Sequence, residues 1–446
     1  MHGKDTLLDH VTPNDRFSWG EAQIEEWLAS GARRGELSDY FGPTEYRALA
    51  ALARRALTAR PSDNALRVLI VPGIMGSQLG LTRAAPLPND IVWLDPLDIQ
   101  RGRLAALRVP GAAPIVPLGV VLFSYLRLKL HLRAAGCAAE FHDYDWRLSI
   151  VDSGQALAER LRTLRAARVA IVAHSMGGLV SRAALALAGT GHIERLVLLG
   201  TPNCGSFAAV QALRGTYAVV RKVARLAQQA SAESLAAEVF STFPSLYELL
   251  PWGTCSVAGS DLFDAQGWPA AGPGPDANLL AAARTVQRQL APPDERFAVI
   301  AGVGAATVTA VRRRGAEFLY TLSRGGDGTV PLQSALLPGV RSAYARAAHS
   351  ELTRNPVVAA AVVDLLRTGT TRRLPSRWRG TARASAQVSD AELRATHAEK
   401  VDWGALSPKA RRLFLENLNE PPQLRLRVPR RRVSHHRPAR RRRKRR

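Results

Sequence analysis

The stretch that decides the fold is Ile171-Val172-Ala173-His174-Ser175-Met176-Gly177-Gly178. A β-branched apolar run leads into a serine, and a helical pattern at 177–188 leaves it. Such a strand–turn–helix holds its serine in a strained turn, which needs very small residues two positions away on each side; Ala173 and Gly177 meet that need. We therefore predict Ser175 as a nucleophile exposed above a sheet, and a structural serine in an ordinary strand-to-helix turn is the alternative.

Similar apolar runs recur on both sides of this stretch, and helical patterns separate them. They predict buried strands at 67–71, 169–173, 195–199, 297–302 and 341–345. Strands separated by helices of this length form crossover units, so we predict an α/β fold with a mostly parallel central sheet and helices on both faces. The alternation stops after 202 and resumes near 296, which predicts an inserted helical cap.

The same patterns divide the chain into five segments, and no internal repeat accompanies them. We predict a helical N-terminal extension at 1–62, a first core part at 63–202, the cap at 203–295, a second core part at 296–368, and a polar to strongly basic tail at 369–446 whose end is expected to be disordered.

A serine nucleophile needs a base, and the base needs a group that orients it. In this kind of fold the expected order along the chain is serine, acid, histidine. Asp327 lies in a glycine-rich loop after the resumed sheet, and His349 is the one histidine between it and the last core helix. We predict that Asp327 orients His349, which takes the Ser175 proton. An aspartate of an ordinary turn and a histidine of a surface loop are the alternatives.

Two backbone amides are predicted to bind the negative charge that develops on the substrate oxygen. One belongs to Met176, directly after the nucleophile, and the other to Ile74, in the loop 71–77 after the first strand. The alternative for this loop is a simple tight turn. His174 adjoins the serine and is expected to point away from it.

Taken together, these motifs resemble the lecithin:cholesterol acyltransferase-like branch of the α/β-hydrolases. The resemblance spans about residues 66–366 and rests on motifs in the family's order, at 71–79, 93–95, 144–147, 173–178, 199–202 and 326–331. It implies an α/β-hydrolase fold, the triad Ser175, Asp327 and His349, and oxyanion donors at Ile74 and Met176. It also implies acyl esters of lipids as substrates and a covalent acyl-enzyme that passes its acyl group to an alcohol or to water.

The chain also departs from the family pattern. Secreted members carry a disulfide-held lid near the Trp93 segment, whereas no cysteine occurs here before Cys137. Specificity for the acyl acceptor is therefore not transferred to this chain. The motif at 144–147 is expected to be structural, with Asp145 and Arg147 forming an ion pair.

Aromatic residues of the cap and of the Trp93 segment suggest where an acyl chain would lie. We predict Trp93, Phe243 and Tyr247 as substrate-binding residues, since apolar side chains over a nucleophile suit a hydrophobic ester. The alternative is ordinary packing of cap helices onto the sheet.

Charge is the unusual feature of the composition. The 446 residues include 61 Lys+Arg and 37 Asp+Glu, a formal net charge of +24. Thirteen basic residues and no acidic ones lie in 425–446, so the rest of the chain carries 48 minus 37, or +11. Such a tail is predicted to bind an anionic membrane surface, and nucleic acid is the less favoured partner. No aromatic residue follows Phe414, so the binding is expected to be electrostatic and non-specific.

We therefore predict a serine-dependent lipid esterase or O-acyltransferase. The alternative is a binding protein that its arginine-rich tail tethers to nucleic acid or to an anionic membrane, with an incidental hydrolase core. Three cysteines without CxxC or metal-ligand spacing predict neither a metal nor another cofactor. The polar start, without an apolar run, predicts a cytoplasmic protein that can associate with the membrane surface.

Overall fold

The computed structural model describes residues 19–418, apart from 60, 63, 85–86, 165–167, 188, 254–260, 381–383 and 397–398. Its strands are β1 (Arg67–Val71), β2 (Ser77–Leu81), β3 (Asp90–Trp93), β4 (Val116–Val120), β5 (Ala138–Phe141), β6 (Val169–His174), β7 (Ile193–Leu199), β8 (Phe297–Gly302), β9 (Thr307–Arg314), β10 (Glu317–Ser323), β11 (Arg341–Ala345) and β12 (Ala384–Ser389).

In this part of the chain the central sheet has six strands, in the order β11-β8-β7-β6-β1-β5, and every neighbouring pair is parallel. The five predicted strands are all present, and β5 adds an edge beside β1. Continuous β-branched runs suit such strands because helices cover both faces of the sheet and leave no polar side. The predicted α/β class with a mostly parallel sheet is confirmed.

The helices are α1 (Glu21–Ser30), α2 (Arg34–Phe41), α3 (Pro43–Thr58), α4 (Pro96–Gln100), α5 (Leu122–Ala134), α6 (Ile150–Thr163), α7 (Met176–Leu185), α8 (Phe207–Leu213), α9 (Ala218–Leu226), α10 (Ala232–Glu238), α11 (Pro244–Glu248), α12 (Ala277–Val286), α13 (Leu332–Ala335), α14 (Pro356–Thr368), α15 (Asp390–Arg394) and α16 (Pro408–Glu416). Short 3₁₀ segments lie at Arg103–Leu107, Phe240–Thr242, Ala265–Gly267, Gln287–Gln289 and His349–Glu351.

Alternate residues of each strand face the two helical layers. In β1, Val68 and Ile70 join the core formed with α3, α5 and α14, whereas Leu69 and Val71 join the core formed with α6, α7 and the cap. This alternation follows from the two-residue period of a strand. Helices on both faces, as predicted, therefore bury the sheet completely.

The N-terminal helices extend the first of these layers. Helix α3 packs on α5, where the Arg127 guanidinium forms an ion pair with Glu45 and the Lys129 ammonium lies 2.8 Å from Glu25 Oε1. Lys129 is buried, and its ammonium also forms an ion pair with Glu21 of α1. Residues 21–58 are thus packed onto the core.

Helices α8 to α12 lie between β7 and β8, at the position where the sequence predicts a helical cap. The cap also contacts a small antiparallel sheet, β12-β10-β9, that the sequence patterns do not predict. Two short strands of this sheet come directly before the Asp327 loop. A third short sheet, β3-β2-β4, lies beside the loop after β1.

The segment after residue 368 differs from the predicted polar tail. Strand β12 pairs with β10, and the Asp390 carboxylate is fully buried against the Arg214 guanidinium of the cap, at 2.9 Å. Five of its apolar residues are buried: Val388, Leu393, Trp403, Leu415 and Leu418. Residues 384–418 therefore belong to the folded protein, and the strongly basic end lies outside the described residues. Within the described ranges, no helix is both long and apolar enough to cross a membrane.

Candidate active site

Ser175 occupies the sharp turn between β6 and α7. Its backbone has φ 54° and ψ −129°, a strained conformation for a residue with a side chain, and its amide donates to the Leu199 carbonyl oxygen at 2.9 Å. A Cβ at position 177 would lie 2.4 Å from the Pro72 carbonyl oxygen, so only glycine fits there. The local sequence pattern thus produces the predicted turn.

The three residues predicted as a triad come together in a line of hydrogen bonds. The Ser175 Oγ and His349 Nε2 atoms are 2.9 Å apart, and His349 Nδ1 lies 2.7 Å from Asp327 Oδ2. All three residues are buried: Ser175 is 7% exposed, His349 9% and Asp327 1%. This geometry allows the imidazole to take a proton from the serine while the carboxylate holds it in orientation.

Backbone contacts orient the carboxylate of Asp327. Its Oδ1 accepts hydrogen bonds from the amides of Thr329 at 3.0 Å and Val330 at 2.7 Å, which leaves Oδ2 for the histidine. The amide of His349 donates in turn to the Asp327 carbonyl oxygen at 2.9 Å. Asp327 and His349 are therefore joined by one side-chain and one backbone hydrogen bond.

The loop after β1 reaches Ser175 from the other side. A Cβ on Gly73 would lie 3.3 Å from Ser175 Oγ, which shows how closely the loop approaches. The Gly73 amide donates to Tyr125 Oη and the Gly76 amide to the Gly73 carbonyl oxygen. Of the loop amides, those of Ile74 and Met75 are not used in these two bonds, and Ile74 lines the cavity beside the serine.

Aromatic side chains hold this loop by its carbonyl groups. Tyr144 Oη donates to the Pro72 oxygen at 2.9 Å, Trp93 Nε1 to the Met75 oxygen at 3.0 Å, and Trp146 Nε1 to the Ser77 oxygen at 3.0 Å. The 144–147 motif therefore acts on the loop that approaches Ser175. Sequence reasoning missed this function because the contact spans about 70 residues of chain.

The rest of the 144–147 motif forms an ion pair. The Arg147 guanidinium makes two hydrogen bonds with the Asp145 carboxylate, at 2.9 and 2.6 Å, and donates to the Leu107 carbonyl oxygen at 2.8 Å. Both side chains are largely buried. The predicted structural pairing is confirmed.

His174 differs from the expectation that it points away from the site. Its ring centroid lies 4.7 Å from that of His349, and its Nε2 lies 3.1 Å from the His349 carbonyl oxygen. Its Nδ1 lies 3.0 Å from Tyr125 Oη. His174 therefore packs beneath the predicted base and contacts it through the backbone oxygen of His349, not through the imidazole nitrogens of His349.

A small cavity of about 70 Å³ opens beside Ser175 and His349. Two cap residues at the start of α9, Tyr217 and Val219, line one side of it. The remaining lining comes from the loop after β1, from α5 and from the His349 segment: Gly73, Ile74, Met75, Gly76, Ser124, Tyr125, His174, Thr329, Ser350 and Thr353. Sequence patterns did not single out Tyr125 or Val219, because each reads as ordinary core.

The predicted substrate-binding residues do not line this cavity. Trp93, Phe243 and Tyr247 are at most 1% exposed. Trp93 holds the loop, Phe243 packs edge-on against Trp146 with 5.6 Å between ring centroids, and Tyr247 Oη donates to the Ser241 carbonyl oxygen. The prediction placed them at the site because large apolar residues suit an acyl chain, but here they form the core between cap and sheet.

No group of three or more histidine, cysteine or acidic residues could hold a metal ion among the residues that the structure describes.

Comparison with known proteins matches part of the chain to a family model. Residues 134–270 match the family model of lecithin:cholesterol acyltransferase. The match includes the 144–147 motif, the turn at Ser175 and most of the cap, and it confirms the resemblance predicted from the motifs. It supports a lipid hydrolase or acyltransferase in general.

Solved structures with a related fold include the mature form of the Bacillus licheniformis lipase BlEst2. It is 16% identical, the match covers 69% of this chain and 94% of that one, and the TM-score is 0.37. The Tle4–Tli4 complex also contains a matching chain, at 15% identity, with 68% of this chain and 98% of that one covered and a TM-score of 0.42. No curated protein matches the sequence.

Proposed function

We propose that this protein is a serine-dependent lipid esterase or O-acyltransferase that works through a covalent acyl-enzyme on Ser175. The observation that carries the proposal is the line of hydrogen bonds from Ser175 through His349 to Asp327, which lies at the turn between β6 and α7. A structural serine in such a turn needs neither an imidazole at 2.9 Å nor a carboxylate behind it.

In the first half-reaction, Ser175 Oγ attacks the carbonyl carbon of the ester while His349 Nε2 takes the hydroxyl proton. The carbonyl oxygen becomes an oxyanion, and the amides of Ile74 and Met176 donate to it. The bond to the alcohol oxygen then breaks, and His349 returns the proton to that oxygen. An alcohol leaves, and the acyl group stays on Ser175.

In the second half-reaction, water or an acceptor alcohol takes the place of the departed alcohol. His349 removes its proton as its oxygen attacks the acyl carbon, and the same amides hold the oxyanion. Collapse returns the proton to Ser175 Oγ and releases a fatty acid or a new ester. Hydrolase and acyltransferase therefore differ only in which hydroxyl group reaches the acyl-enzyme.

The substrate class follows from the walls of the cavity and from its size. Ile74, Met75 and Val219 present apolar surface near Ser175, which suits an acyl chain. A cavity of 70 Å³ is much smaller than the roughly 300 Å³ at which ligand sites begin. A long acyl chain therefore needs more room than this cavity offers.

Labelling with a fluorophosphonate tests the proposal directly. The reagent phosphonylates an activated serine, so the wild type should gain one adduct that peptide mass spectrometry places on Ser175. The variant Ser175→Ala should not be labelled, and Ser30→Ala, at an exposed serine of α1, should behave like the wild type. Equal labelling of wild type and Ser175→Ala would overturn the proposal.

Product analysis then separates the two reaction types. The enzyme is given an ester with a labelled acyl chain, with and without a long-chain alcohol, and the labelled products are separated. Free fatty acid in both samples indicates a hydrolase, whereas a new ester formed at the expense of fatty acid indicates an acyltransferase. Esters of graded chain length identify the preferred acyl group.

A further inference from the structure

Behind Ser175, hydrogen bonds join the loop after β1 to the backbone of His349. The Gly73 amide lies 2.9 Å from Tyr125 Oη, Tyr125 Oη lies 3.0 Å from His174 Nδ1, and His174 Nε2 lies 3.1 Å from the His349 carbonyl oxygen. Both side chains of this connection, Tyr125 and His174, are buried, at 3% and 7% exposure. None of these contacts takes part in the proton transfer described above.

The two ends of the connection determine where its protons lie. An amide can only donate and a carbonyl oxygen can only accept. Tyr125 Oη therefore accepts from Gly73 and directs its own proton to His174 Nδ1. His174 must then carry its proton on Nε2, from which it donates to His349. Each donor meets one acceptor when His174 is neutral and holds its proton on Nε2.

Burial favours this neutral state. It lowers the pKa of His174 well below the ordinary value, with the nearby His349 acting in the same direction. Burial also raises the pKa of Tyr125, so its hydroxyl keeps the proton that His174 accepts. A charged His174 would place a second donor against Tyr125 Oη and disrupt the connection.

The connected elements come from opposite sides of the nucleophile. The loop after β1 lies next to β6 on one side, whereas the His349 segment follows β11, at the far edge of the sheet on the other side. His174 is the last residue of β6, directly before Ser175. The connection therefore links the loop after β1 and the His349 segment to β6, the strand that leads into Ser175.

We propose that Tyr125 and His174 are positioning residues, which hold the Gly73 loop and the His349 backbone at a fixed separation around Ser175. This inference rests on the proposed function. It assigns a role to the histidine before the nucleophile and to a tyrosine of α5 that no sequence motif singles out. Catalysis needs the two oxyanion amides and the base in place at the same time, and a displacement of 1 Å costs on the order of 10²-fold in rate.

Substitution of Tyr125 and His174 tests the connection. Tyr125→Phe keeps the ring but removes the hydroxyl, and His174→Leu removes both ring nitrogens. Each should lower kcat about 10- to 100-fold with KM changed by no more than about twofold, because positioning acts on the transition state. The double variant should lose no more than the worse single variant, since both break one connection.

A conservative variant provides the rescue. In His174→Gln, the amide oxygen can accept from Tyr125 and the amide nitrogen can donate to the His349 carbonyl oxygen. This variant should stay within about threefold of wild-type kcat, because it keeps both bonds. Tyr320→Phe is the matched control, since Tyr320 is also fully buried and donates to Asp390 at 2.7 Å, away from the cavity. It should lower thermal stability but leave kcat unchanged.

The protonation of His174 gives a readout that does not depend on activity. Long-range ¹H–¹⁵N spectra of histidine-labelled protein distinguish the two neutral forms of the ring, and comparison with His174→Gln assigns the signal. We expect a proton on Nε2 in the wild type and a changed signal in Tyr125→Phe.

The outcomes separate this inference from the proposed function. Loss of fluorophosphonate labelling only in Ser175→Ala, together with wild-type kcat in Tyr125→Phe, would overturn the positioning role and leave the serine mechanism standing. A wild-type protein that does not react with the reagent would overturn the serine mechanism. A proton on Nδ1 of His174 would contradict the connection whatever the activity.

Discussion

A Cβ atom on Gly73 would lie 2.8 Å from the Cβ atom of Ser175. Real carbon atoms do not approach so closely, and the neighbour in this case is the side chain of the nucleophile. The loop that carries the predicted oxyanion donor Ile74 therefore depends on the absence of a side chain at position 73. Adding one methyl group at position 73 therefore tests whether the reaction needs the loop this close to Ser175.

Gly73→Ala should push the loop away from Ser175 and lower kcat for a short-chain ester by about 10²-fold, as expected for a displacement near 1 Å. Steady-state kinetics and the rate of fluorophosphonate labelling measure the effect. Gly274→Ala is the control, because a Cβ at that position would meet nothing within 4 Å. Unchanged kinetics in Gly73→Ala would show that the loop does not serve the reaction.

The contact between Asp327 and His349 gives a second prediction. In Asp327→Asn, the remaining oxygen can still accept from Thr329 and Val330, so the loop should keep its shape. The new amide group, however, would donate to His349 Nδ1 and place the ring proton on Nε2, where it blocks acceptance from Ser175.

The rate of Asp327→Asn should therefore fall on the order of 10⁴-fold while the melting temperature changes little. Activity on a chromogenic ester and thermal unfolding are measured together. A loss of activity that matches a loss of folded protein would assign Asp327 a structural role instead.

Local patterns were enough to predict the framework of the site. The turn at Ser175 and the five strands follow from short runs of sequence, because buried parallel strands need continuous apolar residues and the turn needs small neighbours. The order of serine, acid and histidine then identified Asp327 and His349, and the structure brings these side chains within hydrogen-bond distance. Their catalytic role stays a prediction.

Long-range packing was not predictable in the same way. Trp93, Phe243 and Tyr247 have the composition of a lipid site, yet packing between cap and sheet buries them. Tyr125 looks like one more apolar residue of α5, although its hydroxyl contacts Gly73. The pairing of β12 with β10 and the contact between Asp390 and Arg214 join the ordered segment at 384–418 to parts of the chain that are distant in sequence.

Glu248 gives a prediction on the pH dependence of stability. This cap residue accepts a hydrogen bond from the Ile150 amide at 2.6 Å, and burial raises the pKa of its carboxyl group to about 7. The folded protein therefore prefers the protonated form, whereas the unfolded chain ionises near its ordinary value of 4.5. The free energy of unfolding should therefore fall as the pH rises from about 4.5 to about 7, and the full loss above this range is roughly 3 kcal/mol.

Glu248→Gln removes this ionisation but keeps an acceptor for Ile150. Its free energy of unfolding should be close to that of the wild type near pH 4 and exceed it by about 3 kcal/mol near pH 8.5. Denaturant titrations at the two pH values measure the difference. Glu238→Gln, at an exposed residue of α10, should show the same difference from wild type at both pH values. A flat result for Glu248→Gln would contradict the raised pKa.

The pair formed by Arg214 and Asp390 tests the role of the C-terminal segment. Both side chains are fully buried, and Asp390 also accepts hydrogen bonds from Tyr320 Oη and the Phe318 amide. Asp390→Ala leaves the guanidinium buried without its carboxylate, which should cost about 3–5 kcal/mol in the free energy of unfolding.

Chemical denaturation of Asp390→Ala measures this cost. Asp39→Ala, at an exposed position of α2, should stay within about 0.5 kcal/mol of the wild type. A loss for Asp390→Ala as small as that of the control would mean that residues 384–418 are not part of the cooperative fold.

Deletion of residues 425–446 tests whether the basic tail serves binding or catalysis. The deletion removes 13 basic residues but leaves α16, which ends at Glu416, and every residue of the site. Turnover of a water-soluble ester should therefore stay within about twofold of the full chain, because no group near the reacting atoms is removed.

Binding to vesicles that contain anionic lipid should weaken and lose most of its dependence on salt, since counterion screening acts on the tail charges. Vesicles of neutral lipid serve as the control, and the same deletion measured on DNA shows whether the tail discriminates between the two anionic surfaces. Loss of soluble-ester turnover would contradict the separation of tail and catalytic core.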